Sequence, residues 1–365
     1  MSDASRQNNV TTGKAWADFC DQLKSAGDII LADNAPEDPL TRAEGFRYLS
    51  RLTKLALEQY VEATDTDFPF FYKLSHETAK IGADNPDSAY LNAQIDGSKN
   101  YRITGKRGSM KYFSIVANAM RYDSDGTAQA TGSLMDEDID WGPNGELEII
   151  ASCEEQEGNW LRLEPDANII IVRQNALDRT NEKAGEFHIE RIDGPESPVP
   201  LAPETLERGL ATTAQFVKGV ANTFADWTRM FAEYPNEFHP FDQQIYQKAG
   251  GAKDLFYLHS YWKLKPDEAW LIEVTPPECD YWNFQLNNWW MESLDYRFAQ
   301  VTVNKHSAKL DPDGGLRIVV SASDPRTGNW IDTCGHREGT ALLRWQDADE
   351  NPIPEARVVK LEEIE

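Results

Sequence analysis

Long apolar runs are the first thing missing from this sequence. The longest aliphatic stretch is Ile169–Val172, far short of the roughly 20 residues that span a bilayer as a helix, so no membrane partner is expected. Positive charge is in the minority: 36 Lys and Arg stand against 61 Asp and Glu, a formal net charge of −25. Such a surface repels phosphate backbones and anionic lipid, which argues against nucleic-acid binding. Cysteine is scarce. Cys20, Cys153, Cys279 and Cys334 lie far apart with no C-x-x-C pair, excluding a disulfide framework and a zinc ribbon as readings. Six histidines are scattered without a His-x-His or His-Glu-x-x-His pattern, so no metal site is expected. G-x-G-x-x-G, Walker and G-x-S-x-G motifs are also missing, which leaves no expected cofactor and no hydrolase triad. Residues 1–13 are polar and carry no apolar leader core, so the cytoplasm is the expected compartment.

Aromatic residues, by contrast, make up 11% of the 365 residues and include 11 Trp, too many for a disordered acidic chain. The length suits two domains, and the chain repeats itself. Asp87-Ser88-Ala89-Tyr90-Leu91 returns as Asp254-Leu255-Phe256-Tyr257-Leu258, 167 positions on. Tyr101 corresponds to Trp270, Lys111–Asn118 to Asp280–Asn287, and Gly145–Ser152 to Gly314–Ser321, all at an offset of 169. Gly158-Asn159-Trp160 returns as Gly328-Asn329-Trp330 at 170. Five matches in order, with an offset that barely drifts, point to a tandem duplication.

The repeated unit reads as β. Phe113, Ile115 and Ala117, like Trp282, Phe284 and Leu286, alternate onto one face, and Asp96-Gly97, Asp125-Gly126, Asn144-Gly145 and Asp313-Gly314 supply the turns. Apolar residues at helical spacing predict helices over about 13–32 and 41–62. A long amphipathic helix is expected over about 204–233, after the Pro-rich stretch 193–203. The expected protein is mainly β, with two tandem similar antiparallel sandwich or jelly-roll units, N-terminal helices and a long linking helix. Its expected divisions are a helical segment (1–64), a first β unit (65–192), the linker and long helix (193–250) and a second β unit (251–365).

The densest unusual segment is Tyr281–Arg297, which contains the run Asn287-Asn288-Trp289-Trp290-Met291-Glu292-Ser293-Leu294-Asp295-Tyr296-Arg297. With Val303–His306, Leu310–Gly314, Asn329–Asp332 and Gly335–Gly339 following in order, residues 254–345 resemble a bacterial family catalogued as domain of unknown function 1214. The first half, through Asn85–Tyr90, resembles the partner family 1254 more weakly. The resemblance implies two β-barrel or jelly-roll domains and no known reaction.

A duplication also separates scaffold from candidate site. Asp87/Asp254, Tyr90/Tyr257, Asn118/Asn287 and Trp160/Trp330 occur in both copies and lean structural. His259, Asn288, Trp289, Trp290, Glu292, His306, His336 and Arg337 have no counterpart. His336 suits general acid/base work, Arg337 suits carboxylate recognition, and Asp332 or Glu292 could orient the imidazole. His306 ends a strand-like VTVNKH on the face of Thr302 and Asn304. Trp282, Trp289 and Trp290 form a stacking or core wall, joined by Tyr257 and His259 as ligand-side candidates. If its strand continued, Asn288 would turn an amide toward the apolar interior. The structural alternative is a Gly-His-Arg-Glu clasp. Asp123–Gly126 and Asp136–Asp140 read as calcium-capable or simply solvated loops.

Two functions stay open: a cofactor-independent acid/base enzyme on a small hydrophobic or aromatic molecule, and a carbohydrate- or small-ligand-binding sandwich. Both take a small-molecule ligand. For the enzyme, loss of His336 is expected to abolish turnover and leave the melting temperature nearly unchanged.

Overall fold

The computed structural model describes residues 3–121, 127–252 and 254–364, so the Asp123–Gly126 loop lies outside the described residues. The chain divides into two compact units, Met1–Asp28 with Leu49–Ala79 and Asp87–Val220, and Ile29–Tyr48 with Lys80–Pro86 and Ala221–Glu365. Each holds one copy of the repeat.

In the first unit the strands are β1 Ser88–Gln94, β2 Tyr101–Lys106, β3 Tyr112–Arg121, β4 Thr127–Met135, β5 Glu146–Ser152, β6 Trp160–Arg162, β7 Ile169–Asn175 and β8 Glu186–Arg191. They form two four-stranded sheets, ordered β1-β7-β3-β4 and β6-β5-β2-β8. The second unit has β9 Leu255–Lys263, β10 Glu268–Val274, β11 Tyr281–Leu286, β12 Thr302–Asn304, β13 Leu316–Ser321, β14 Trp330–Asp332, β15 Glu338–Gln346 and β16 Glu355–Lys360. Its sheets run β9-β15-β11-β12 and β14-β13-β10-β16. The two orders are the same, strand for strand. Register agrees as well: Phe113 faces Gln174 where Trp282 faces Trp345, and Tyr101 faces Ala151 where Trp270 faces Val320. Neither sheet pair is wholly antiparallel, because β6 runs parallel to β5 and β14 parallel to β13.

The shared residues hold the scaffold. Trp160 Nε1 donates to the Ser152 carbonyl and hydroxyl, and Trp330 Nε1 repeats this at Ser321. Asn159 and Asn329 each bridge two backbone segments through both ends of the amide. The Asp87 carbonyl accepts from Ala176 N, and that of Asp254 from Asp347 N. Each unit has its own apolar core between its sheets, around Phe113, Ile103 and Val172 in the first and around Trp270, Trp282, Phe284 and Trp345 in the second. Trp282 is therefore core, its ring 6.0 Å from that of Trp345.

The helices are α1 Asp3–Thr11, α2 Lys14–Ile30, α3 Pro39–Leu57, α4 Pro203–Phe231 and α5 Gln243–Lys248. α1 has no apolar periodicity and escapes sequence reading. A five-residue π-helical turn, Glu58–Glu62, extends α3. Trp16 and Phe46, which share the helical apolar spacing of α2 and α3, are exposed.

Candidate functional site

His336 sits on a tight turn between β14 and β15. Cys334 (φ 50°) and Gly335 (φ 82°) take successive left-handed conformations, and the second suits glycine. The turn folds the imidazole back, so that Nδ1 lies 2.9 Å from the Thr333 carbonyl and Nε2 2.8 Å from Glu44 Oε2. Glu44 comes from α3 and is nearly as buried as His336. Burial alone would push the imidazole down, but the hydrogen bond and charge of Glu44, with the Thr333 carbonyl, raise it above its ordinary value. Burial likewise acts upward on Glu44, and His336, Arg47 and Asn288 bring it below the usual carboxylate range. Both neighbours are acceptors, so both ring nitrogens donate when the imidazole is protonated, making a buried imidazolium–carboxylate pair.

Asn288 completes this cluster. Strand β11 stops at Leu286, so Asn288 does not continue the alternation. Its Oδ1 instead accepts from the Trp290 and Glu292 amides at 3.0 and 3.1 Å, closing a loop in which Met291 is left-handed (φ 56°). Its Nδ2 donates to Glu44 Oε2 and Glu292 Oε2, at 3.1 and 3.0 Å. Trp290 packs on α3 at Gly45, where a Cβ would come within 2.7 Å of the indole, and its Nε1 donates to the Thr41 carbonyl. The residue that orients His336 is therefore Glu44, in place of Asp332 or Glu292. Asp332 instead accepts from Cys334 N.

This pair has a signed pH dependence. The raised His336 contributes stability that is fully present below its ordinary value of 6.5 and is lost as pH rises through the raised value. The lowered Glu44 contributes stability present above 4.5 and lost as pH falls through the lowered value. The stability of the wild type relative to a Glu44→Gln/His336→Gln variant should therefore be greatest between these two ordinary values and shrink on either side. Urea unfolding across the pH range checks it, and a difference that does not vary with pH would refute the assignment.

The other candidates fall elsewhere. Arg337 is exposed beside the buried His336, and its side chain makes no hydrogen bond or ion pair among the described residues. His306 lies in an exposed turn beyond β12, past the strand that was expected to carry it. Trp289 is buried, its carbonyl accepting from Thr228 Oγ1 and its ring lying 5.8 Å from the Arg229 guanidinium. Neither Trp289 nor Trp290 presents an open stacking face. Among the described residues, no group of three or more His, Cys, Asp or Glu is placed to hold a metal ion, and within Asp136–Asp140 the Asp136 carboxylate is gripped by Arg107.

A second cluster lies on the other face of the β9-β15-β11-β12 sheet. Every residue of β11 is buried, so the polar alternates Asn283, Gln285 and Asn287 face protein. The segment Lys80–Pro86 covers part of this face. Arg344 Nη1 donates to Asn283 Oδ1 (3.1 Å) and Gln285 Oε1 (2.5 Å), and Nη2 to the Ala83 carbonyl (2.6 Å). Gln285 Nε2 donates to the Asp84 carbonyl and Asn287 Oδ1, and Asn283 Nδ2 to Asn85 Oδ1.

Arg344 pairs across the strands with Tyr257, and His259 is the next residue on that face of β9. His259 is 3% exposed and ringed by Phe231 (4.8 Å, stacked), Tyr246 (4.7 Å), Trp227 (6.2 Å) and Tyr257 (6.4 Å). Its Nδ1 and the Tyr246 hydroxyl are buried without a hydrogen-bond partner among the described residues. Burial, then the Arg344 charge, hold the imidazole well below its ordinary value, so it is neutral at pH 7. Trp227 and Tyr257, which flank it, are only half-buried. Sequence reasoning named His259 and Tyr257 but missed Glu44, Arg344, Trp227 and Tyr246. Two signals were available: Thr41, Glu44 and Tyr48 share the helical spacing of the buried Leu52 and Leu55, and Arg344 is a lone charge in the apolar strand ALLRWQ.

The family model described as a protein of unknown function, DUF1214, matches residues 86–174 and again 263–350. The first half thus matches the same family as the second, where its sequence resembled family 1254. The chain is similar to the crystal structure of an uncharacterised protein from Burkholderia cenocepacia, at 48% identity over 98% of this chain and 100% of that one, with a TM-score of 0.96. The VPA0106 protein from Vibrio parahaemolyticus shares the fold at 12% identity, covering 87% of this chain and 98% of that one, with a TM-score of 0.50. No curated protein matches.

Proposed function

This chain belongs to the DUF1214 family, which brings no reaction with it, and from the geometry we propose a cofactor-independent acid/base enzyme for a small apolar molecule, with His259 as the proton-transfer group. The observation that carries this reading is the contrast between two imidazoles. His336 has both nitrogens engaged, by the Thr333 carbonyl and the Glu44 carboxylate, so neither is open to a substrate proton. His259 is neutral, and its Nδ1 is unpartnered amid aromatic rings. A buried polar nitrogen without a partner is uncommon and calls for an explanation. Here the explanation is a substrate group that supplies the missing hydrogen bond, while the rings hold an apolar body and exclude water.

The test is a screen of small apolar alcohols, ketones and acids, read by tryptophan fluorescence and by mass-spectrometric detection of product. His259→Phe keeps a stacked ring and removes only the unpaired nitrogens, so the fold should persist while conversion falls by about 100- to 10,000-fold. The wild-type rate should show no limb near the ordinary imidazole value of 6.5, because the group is already neutral. Unchanged conversion by His259→Phe would sink the assignment. Ligands that bind and are never converted would favour the second reading, a small-molecule-binding sandwich, for which the Arg344 network already supplies an anchor.

A further inference from the structure

Arg344 is 5% exposed, yet everything it donates to is neutral: two side-chain amides and a backbone carbonyl. No carboxylate forms an ion pair with it among the described residues. A guanidinium has five N–H groups, and three hydrogen bonds are made. The Nε–H and one Nη2–H make none among the described residues.

Two other arginines of this chain grip carboxylates in bidentate fashion through that same Nε/Nη2 edge. Arg107 holds Asp136 through Nε at 3.0 Å and Nη2 at 2.5 Å. Arg297 holds Asp295 through the same two atoms at 2.8 and 2.6 Å. In Arg344 the edge is open, and a buried charge without a counter-charge is costly. His259 is two residues from its strand partner Tyr257 on the same face, ringed by Phe231, Tyr246, Tyr257 and Trp227, and His259 Nδ1 and the Tyr246 hydroxyl are buried without a partner among the described residues.

We infer that Arg344 binds the carboxylate of a small monocarboxylic acid, whose apolar body lies against the rings around His259. This rests on the reading of the His259 site given above and names its ligand class. One guanidinium matches one carboxylate in charge and in fork geometry. A phosphate dianion would leave charge uncompensated among apolar rings.

The test uses the full chain with benzoate, cyclohexanecarboxylate and 3-phenylpropionate, their primary amides, and phenyl phosphate, followed by ligand-detected NMR and thermal melting at neutral pH. At least one acid should bind about tenfold or more tightly than its amide and than phenyl phosphate. Arg344→Lys supplies three N–H donors for the three acceptors already in use and none for a ligand. It should therefore melt close to the wild type and lose about tenfold or more in acid affinity. Amides binding as tightly as acids would overturn the carboxylate inference. If His259→Phe also abolished that amide binding, the acid/base site would stand without it. Unchanged acid binding by Arg344→Lys, tighter binding of phenyl phosphate, or no acid bound at millimolar concentration would each overturn the inference. The acid–amide comparison needs no variant, so it decides the matter even if Arg344→Lys does not fold.

Discussion

Replacing His336 with alanine should lower the unfolding free energy by about 3–5 kcal/mol. The sequence alone led to the opposite expectation, a change in activity with melting nearly untouched. The difference lies in Glu44. With the imidazole gone, the Glu44 carboxylate, 2.8 Å from Nε2 in the wild type, stays buried with only Asn288 and Arg47 to serve it. The Thr333 carbonyl loses one of its two donors too, keeping the backbone N–H of residue 336. Removing one partner of a buried pair leaves the other charge poorly compensated, here facing only the half-exposed Arg47 among the described cations, which costs more than the pair itself contributes. The Glu44→Ala/His336→Ala double variant should thus lose less than the two single losses combined, a coupling of about 1–3 kcal/mol. Urea denaturation near pH 6 measures all three. A His336→Ala protein that unfolds at the wild-type midpoint would show that the His336–Glu44 pair is idle and reopen His336 as a functional base.

Gln285→Leu should be of similar size, about 3–5 kcal/mol, although leucine is an ordinary residue for a core strand. Gln285 is fully buried. Its Oε1 accepts from Arg344, and its Nε2 donates to the Asp84 carbonyl and to Asn287 Oδ1. Leucine would leave a buried guanidinium one acceptor short and two buried oxygens without that donor. Each orphaned neutral group costs about 1–3 kcal/mol, and a charged one more. Phe284→Leu, one residue away on the apolar face, removes volume and no hydrogen bond, and should cost less than half as much. Parallel unfolding curves give the comparison. If Phe284→Leu proved the more damaging, the polar face would not be the cooperative network described.

The Gln285 case also shows where sequence reading stops. Alternation along β11 separates Trp282, Phe284 and Leu286 from Asn283, Gln285 and Asn287 correctly, because side chains on a strand alternate whatever surrounds them. It is silent on what covers the second face. Polar alternates ordinarily mean water, and here Ala83, Asp84 and Asn85, some 200 residues earlier, lie over them. The His336 cluster was half legible for the same reason. His336, Asn288, Glu292 and Trp290 were picked out because the other copy lacks them, and they do come together. Glu44, which joins them, belongs to no repeat and was hidden in a helical stripe. Trp160 and Trp330, Asn159 and Asn329, and the matched strand orders followed from internal comparison, since two copies of one fold must satisfy the same turns and strand ends. Repeat, strands, turns and helical periodicity are local properties, set by neighbours along the chain, and they are written in the sequence. Which histidine is charged and which neutral, and which arginine lacks a counter-charge, depends on groups from distant segments and on the water they displace. Burial and charge act through space, so those assignments came only with the fold.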